Sequence, residues 1–378
     1  MRSGNDPVAI QLISTGGYYG AERALVELAA YLREAGWRSH VVALEGQGAT
    51  ELVQRAAERG VAAEAFVPYG RLHLAPMLRR LRELMASHPR ALLHSHGYKP
   101  DILLAVLGAP RDFPCLATCH NWISETLKMR LWEAWDKRAL RRFDRVIAVS
   151  DQIALELIAS GVAPEAVAVI DNGISAAPED PMARERVRAE LAIPQECALL
   201  LHVGRLARSK RIDLLLESVA QLPAQLGATV LLAGEGAERE GLAQLAGRLG
   251  LGERVRFGGY RRDVARLLAA ADLFVLSSER EGLPISILEA MAAACPIVST
   301  RVGAIPRVLE AGTDAWLIPP GDATALRGAL LEALSAPDEA HRRARRAQQK
   351  FAARYSQRAM GERYLQVYEA VRAQRPPR

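Results

Sequence analysis

Two carboxylates frame the start of a short apolar run, Glu281-Gly-Leu-Pro-Ile-Ser-Ile-Leu-Glu289. Pro284 suits the first turn of a helix, where its missing N–H would be unsatisfied anyway. The spacing predicts a helix from Ile285 to about Ala294 that stops before Pro296. Ile285, Ile287, Leu288, Met291 and the alanines leave almost no polar face, so this helix is expected to be covered on most sides. Glu289 sits within it, and a carboxylate in such a place is costly unless something binds it. Glu281 stands at the helix mouth, where free N–H groups and the positive dipole end favour an anion. Hydroxyl-binding carboxylates beside a phosphate-favouring helix end suit a ligand such as a nucleotide sugar. Read alone, Glu281 could equally be a solvated loop residue, and Glu289 the ion-pair partner of an arginine.

Cations are spaced for the same ligand. Gly204-Arg205-Leu206-Ala207-Arg208-Ser209-Lys210 follows an expected strand, Leu199–Val203, and precedes a helix. Arg205 and Lys210 are thereby placed in a loop at a strand's carboxyl end. An arginine fork and a lysine point charge together suit a diphosphate; two solvated surface cations are the plainer reading. Gly16-Gly17 also stands between a strand and a helix, where a backbone can approach a ligand closely. The full Gly-x-Gly-x-x-Gly dinucleotide fingerprint is absent. Gly234-Glu235-Gly236 follows a strand as well and reads as a tight turn. His120 comes just after the strand Cys115–Cys119, where an imidazole can donate to a sugar hydroxyl or a phosphate. Of His94 and His96, at most one is expected to face a ligand, and His96 is nearer the strand's end. Tyr18, Tyr19 and Trp122 are candidate acceptor platforms, each of which could equally be core.

The elements that must hold these residues alternate. Strands are expected at Val8–Ser14, Ser39–Leu44, Ala62–Phe66, Leu92–Ser95, Cys115–Cys119, Val146–Val149 and Val167–Ile170, with helices between them. Ala176–Pro181 reads as a linker, after which the pattern restarts with strands at Leu199–Val203, Thr229–Ala233, Val255–Phe257, Leu273–Leu276 and Ile297–Ser299. Such alternation predicts an α/β chain of two doubly wound parallel sheets, with the ligand in the cleft between the domains, beyond the strands' carboxyl ends. A length of 378 residues fits two domains. The chain is 50% hydrophobic and 24% charged, as in soluble globular proteins, and no apolar run could cross a bilayer. No signal-peptide pattern is present at the N-terminus. Cys115, Cys119, Cys197 and Cys295 form no Cys-x-x-Cys pair and are expected to be reduced thiols of a cytoplasmic protein. The net charge of +6 is concentrated at the C-terminus, where ten arginines and Lys350 follow His341 against Glu362 and Glu369. The spacing of Phe351, Tyr355, Met360, Tyr364 and Tyr368 makes that tail a packed amphipathic helix with a solvated basic face. No nucleic-acid signature accompanies the charge.

Taken together, these segments resemble family 4 of the retaining glycosyltransferases, which have the GT-B fold. The matching stretches are Gly16-Gly17 with Gly20-Ala21-Glu22-Arg23, His94-Ser-His96-Gly97, His120, Val146–Ser150, Asn172-Gly173-Ile174, Val203-Gly204-Arg205-Leu206 with Lys210, Gly234-Glu235-Gly236, Phe257-x-Gly259-Tyr260 and Glu281-x7-Glu289. The resemblance implies three parts: residues 1–176 as an acceptor-binding Rossmann-like domain, 177–355 as the donor-binding domain, and 356–378 as a helix crossing back onto the first. It implies that Arg205 and Lys210 hold the donor diphosphate, Glu281 the sugar hydroxyls and Glu289 the ribose. Gly204, Gly282, Leu283 and Ile285 would line the donor site, with Gly16 and Gly17 approaching the diphosphate, His120 touching the sugar, and the base near Tyr260. Tyr18 and His96 fall to the acceptor. Transfer would keep the anomeric configuration, with a nucleotide-diphosphate sugar as co-substrate and no cofactor or metal. Asp171 stands where the family usually has proline, and Arg208-Ser209 where it often has proline and an acid.

The acceptor implied is a saccharide or a lipid-linked one. Two basic helices, Arg71–Ser87 and Glu125–Arg142, raise the expectation of peripheral contact with an anionic membrane at its inner face; ordinary surface helices are the other reading. A sugar-nucleotide epimerase or hydrolase on the same architecture and a non-catalytic nucleotide-sugar binding module are the alternatives.

Overall fold

A computed structural model describes residues 6–15, 20–44, 49–66, 74–120, 127–178 and 180–375. The chain divides into two compact units, residues 1–175 with 354–378, and residues 176–353.

The first unit is built on seven parallel strands: β1 (Val8–Ser14), β2 (Arg38–Leu44), β3 (Ala62–Phe66), β4 (Leu92–His96), β5 (Cys115–Cys119), β6 (Arg145–Ala148) and β7 (Val167–Val169). Their order is β3-β2-β1-β4-β5-β6-β7. β4 and β5 are buried at every position, as expected of strands covered on both faces. The sheet winds outward in both directions from the β1/β4 pair, which is the switch point where doubly wound folds bind ligands. In the β1/β4 register Ile13 lies opposite His96, so the two strands finish level and their following loops emerge side by side.

The second unit repeats the plan with six parallel strands: β8 (Leu199–Val203), β9 (Thr229–Ala233), β10 (Val255–Gly259), β11 (Leu273–Leu276), β12 (Ile297–Thr300) and β13 (Trp316–Ile318). The order β10-β9-β8-β11-β12-β13 puts its switch point between β8 and β11. Five of these strands are legible as apolar runs. β13 is not, because it is a three-residue edge strand.

The C-terminal segment departs from one continuous amphipathic helix. Helix Pro337–Lys350 runs into a π turn, Phe351–Tyr355, and a second helix, Gln357–Gln374, starts afresh from Ser356. The Ser356 Oγ accepts from the Ala359 N–H at 3.2 Å, the hydrogen bond of an N-cap. This second helix returns to the first unit and packs Met360, Tyr364, Tyr368 and Val371 against Leu28, Leu32, Trp37, Leu92 and Leu116. It comes so close to the first helix, Gly20–Glu34, that a Cβ on Gly361 would lie 2.2 Å from the Tyr31 ring.

Asp171 acquires a role here. It is 1% exposed, its carboxylate accepts from Arg354 Nε at 2.9 Å, and Arg363 lies 3.7 Å away. The acid where proline is usual thus ties the end of the first sheet to the returning segment.

The two basic helices differ. In Leu74–Ser87, the apolar side (Met77, Leu81, Leu84) is spent on the core, and Arg79, Arg80 and Arg82 face water. In Leu127–Leu140, Leu131 and Trp135 are 61% and 64% exposed, beside exposed Arg130 and Arg138. Among the described residues, no helix is long and apolar enough to cross a membrane.

Candidate active site

The second unit brings the predicted cation and acid together at its switch point. Arg205 and Lys210 lie in the loop after β8, and Glu281 lies in the loop after β11, its neighbour in the sheet. Lys210 Nζ donates to Glu281 Oε1 at 2.5 Å, with the two side chains only 18% and 9% exposed. Ser278 Oγ donates to the same oxygen at 2.5 Å. Two further bonds fasten the loops independently of that pair. Ser277 Oγ donates to the Lys210 carbonyl at 2.9 Å, and the Glu279 N–H donates to Ser209 O at 2.8 Å. Arg205 is exposed, and among the described residues no hydrogen bond or ion pair occupies its side chain. An uncommitted guanidinium therefore stands on the same loop as a cation held in place by a carboxylate.

Glycines let these loops meet backbone to backbone. A Cβ on Gly234 would fall 1.9 Å from the Gly204 carbonyl oxygen, and one on Gly236 would fall 2.2 Å from Leu206 O. The Gly204 N–H donates to Ala233 O at 3.0 Å, and the Leu206 N–H to Glu235 O at 2.8 Å. Gly234-Glu235-Gly236 is therefore more than the tight turn expected of it, because it seats the Arg205 loop. On the other flank Gly303, at φ +57°, would put a Cβ 2.1 Å from Glu281 O. The Ala304 N–H donates to Gly282 O at 3.0 Å.

The helix after Glu281 spans Ile285–Ala292, with Pro284 just before it rather than in its first turn. It is less enclosed than the sequence suggests. Ile287, Leu288, Ala290 and Met291 are buried, but Ile285, Glu289 and Ala292 share a half-open stripe at i, i+4 and i+7. Glu289 is thus half-buried and reachable from outside the helix. Leu283 is half-buried and Gly282 exposed at the helix entrance. Tyr260 follows β10 and is 61% exposed.

One residue of this unit carried no signal in the sequence. His202, on β8, is fully buried, and its Nδ1 lies 3.2 Å from the Val275 carbonyl oxygen. A carbonyl only accepts, so Nδ1 carries the proton and Nε2 is a bare lone pair. That nitrogen has no partner among the described residues and lies 3.4 Å from where a Gly204 Cβ would be. Burial, reinforced by the Lys210 charge and opposed by the Val275 bond, pushes its pKa down to about 4, so it adds no positive charge at neutral pH.

The histidines of the first unit form a second cluster. His94 and His96 share one face of β4, because residues two apart on a strand point the same way, and their ring centroids are 4.1 Å apart. His94 is committed on both sides, with Nδ1 2.6 Å from Tyr368 Oη and Nε2 2.8 Å from Thr118 Oγ1. His96 Nδ1 is 3.4 Å from His120 Nε2. Burial lowers all three pKa values, His94 to about 3 and His120 to about 4, so the cluster is neutral. Gly16, Gly17 and Tyr18, the remaining candidates, lie outside the described residues, as do Tyr19 and Trp122. A recess of about 1070 Å³ opens at the amino ends of the first sheet's strands near Arg38, Arg90 and Glu369, and none of the described candidates lines it.

Two doubly wound parallel sheets, the second with a cation–carboxylate loop pair at its switch point, agree with the GT-B fold that the resemblance implies. Models of two glycosyltransferase families match the chain in tandem: "Glycosyltransferase Family 4" over residues 18–177 and "Glycosyl transferases group 1" over 183–350. A glycogen synthase of Mycobacterium tuberculosis is 31% identical over 310 residues, covering 76% of this chain and 70% of its own length. The lipopolysaccharide core biosynthesis glycosyltransferase LpsE of Rhizobium meliloti is 34% identical over 180 residues, 48% of this chain and 52% of that protein. With that relative the chain therefore matches about half of the partner's length. Among solved structures, Anabaena HepE in complex with UDP superposes with a TM-score of 0.84 at 24% identity, covering 96% of this chain and 100% of HepE. HepE is also known in complex with UDP-glucose (TM-score 0.80, 23% identity). The chain belongs to the GT-B glycosyltransferases, with a family 4 domain followed by a group 1 domain.

Proposed function

We propose that the chain is a retaining glycosyltransferase. It moves a sugar from a UDP- or GDP-sugar to a saccharide or lipid-linked acceptor, in cell-envelope or exopolysaccharide glycan synthesis. The observation that carries this reading is the Lys210–Glu281 pair at the switch point, with Arg205, exposed and unpaired among the described residues, on the same loop. In the structure the lysine and glutamate satisfy each other. A donor diphosphate gives Lys210 and Arg205 an anion to hold, and releases Glu281 for the sugar hydroxyls. Glu289, on its half-open stripe, takes the ribose; His120 touches the transferred sugar, and Tyr260 borders the base. HepE's complexes with UDP and UDP-glucose support the donor class, and the lipopolysaccharide relatives support the biosynthetic setting.

Departure of the nucleoside diphosphate breaks the bond between the anomeric carbon and the phosphate oxygen. The electron pair goes to the diphosphate, where Arg205 and Lys210 oppose the growing charge in place of a metal. The acceptor oxygen bonds to the same face of the sugar and passes its proton to the departing phosphate oxygen. No protein nucleophile takes part. Incubation with a donor and acceptor should give a glycoside of the donor's own anomeric configuration, read by NMR of the product. An inverted product would overturn the mechanism, and an altered donor without any acceptor product would make the protein an epimerase or hydrolase instead.

The exposed Leu131 and Trp135 beside Arg130 and Arg138 support peripheral contact with an anionic membrane. Full-length protein should co-sediment with anionic vesicles and be released at high salt. Equal binding to neutral vesicles, or none to either kind, would end that reading.

A further inference from the structure

The histidine cluster carries more polar structure than docking a helix needs. Tyr368 is 0% and Tyr364 is 3% exposed, yet both hydroxyls are engaged. Tyr368 Oη meets His94 Nδ1 at 2.6 Å, while His94 Nε2 meets Thr118 Oγ1 at 2.8 Å, and Thr118 Oγ1 meets Tyr364 Oη at 3.0 Å. With both ring nitrogens bonded, His94 cannot rotate without breaking a buried hydrogen bond. His96 lies against its ring, and the His96 and His120 rings stack at 5.7 Å and 23°. The return helix therefore braces a column of three imidazoles that ends at the carboxyl end of β5.

Protons can be assigned along that column. A neutral imidazole carries one N–H, and each of these three is neutral because burial disfavours its cation. Between His96 Nδ1 and His120 Nε2 one nitrogen must donate and the other accept. The other nitrogen of His96, Nε2, is buried with no partner among the described residues. Buried orphan N–H groups are rarer than under-satisfied acceptors. The unpartnered nitrogen is therefore the bare one, and the proton sits on Nδ1. His96 donates, His120 Nε2 accepts, and the single proton of His120 is left on Nδ1, which no described group occupies.

We propose that His96 is a positioning residue that fixes His120 as its Nδ1–H tautomer. The tyrosines of the return helix hold the column in register. His120 is then a pre-set neutral donor, suited to a hydroxyl or phosphate oxygen and unable to act as a base through Nε2. This assigns His96 a role other than acceptor contact. The tautomer itself does not depend on the proposed reaction; only its catalytic consequence rests on that reading.

Histidine tautomers are read directly by two-bond ¹H–¹⁵N correlation spectra of ¹⁵N-histidine-labelled full-length protein, with His120→Gln and His96→Phe used for assignment. The unliganded wild type should show both His96 and His120 protonated at Nδ1. His96→Phe keeps a flat ring but removes the donor, so the His120 signals should shift towards the Nε2–H or mixed pattern. The same variant should lose about 10-fold in kcat with donor KM changed less than 2-fold. His96→Asn, whose amide can donate from near the Nδ1 position, should recover most of both. A wild-type His120 protonated at Nε2 would overturn the assignment outright, as would a His120 pattern indifferent to His96→Phe. Confirmed tautomers without a kcat effect would leave the proton assignment standing but overturn the positioning role. A protein with no transferase activity at all would count against the proposed reaction, since the spectra are read without substrate.

Discussion

Lys210→Ala should cost the enzyme twice, and the two losses should separate. Transfer rate falls about 10²–10³-fold, the scale seen when one preorganised donor to a developing negative charge is removed. Stability falls as well, because Glu281, only 9% exposed, keeps the Ser278 hydroxyl but loses its cation. Breaking one side of a well-buried ion pair costs about 3–5 kcal/mol. With Lys210 itself 18% exposed, about 2 kcal/mol is the reasonable scale here, or roughly 4–8 °C in Tm for a unit of this size. Adding Glu281→Gln removes the stranded charge, so Lys210→Ala/Glu281→Gln should recover most of the Tm and none of the activity. Calorimetry and steady-state kinetics on the three proteins check this. A double variant as unstable as the single one would show that the stability loss does not come from a stranded Glu281 charge. A single variant with near-normal turnover would remove Lys210 from the chemistry.

Gly303→Ala should damage catalysis although Gly303 bears no functional group. Its φ of +57° disfavours any side chain, and the new Cβ would sit 2.1 Å from Glu281 O and 2.6 Å from Gly282 O. Both obstacles are backbone, so relief requires the Glu281–Gly282 loop to move. A misplacement of about 1 Å in a positioning element can cost 10²-fold in rate, and a fall of that order in kcat/KM is expected. Gly321→Ala is the control. Its φ is +77°, so the same conformational penalty of about 1–2 kcal/mol applies. Nothing lies within 4 Å of its Cβ position, however, so activity should stay within 2-fold of wild type. Equal activity losses in the two variants would mean that backbone strain alone explains the effect.

These two residues mark where reading the sequence stops. Lys210 and Glu281 were legible because charge, spacing and strand ends all pointed the same way. Gly303 was not, since its importance lies in what it nearly touches, twenty-two residues away in the chain. The same holds for His202, which stands just ahead of the Val203-Gly204-Arg205 stretch but is no part of it, and for Ser278, whose hydroxyl reads as ordinary loop polarity. The sheets were legible wherever strands are long apolar runs. The exception, Trp316–Ile318, pairs on one side only and needs just three residues. The C-terminal aromatics were read correctly as buried, but their spacing hid the π turn at Phe351–Tyr355, because π and α turns bury nearly the same positions. At most one of His94 and His96 was expected to face a ligand, whereas the strand's two-residue period puts both on one face.

Arg205 and Lys210, opposite Glu281, are the proposed site for a nucleotide-linked diphosphate. Thermal denaturation of wild type and Arg205→Ala across UDP, GDP and their sugars, with uridine and guanosine as controls, tests it most directly. One diphosphate series should raise the wild-type Tm by several degrees while its nucleoside does nothing, and the shift should collapse in Arg205→Ala. An equal shift in both proteins, or stabilisation by the nucleoside alone, would place nucleotide recognition somewhere other than this loop pair.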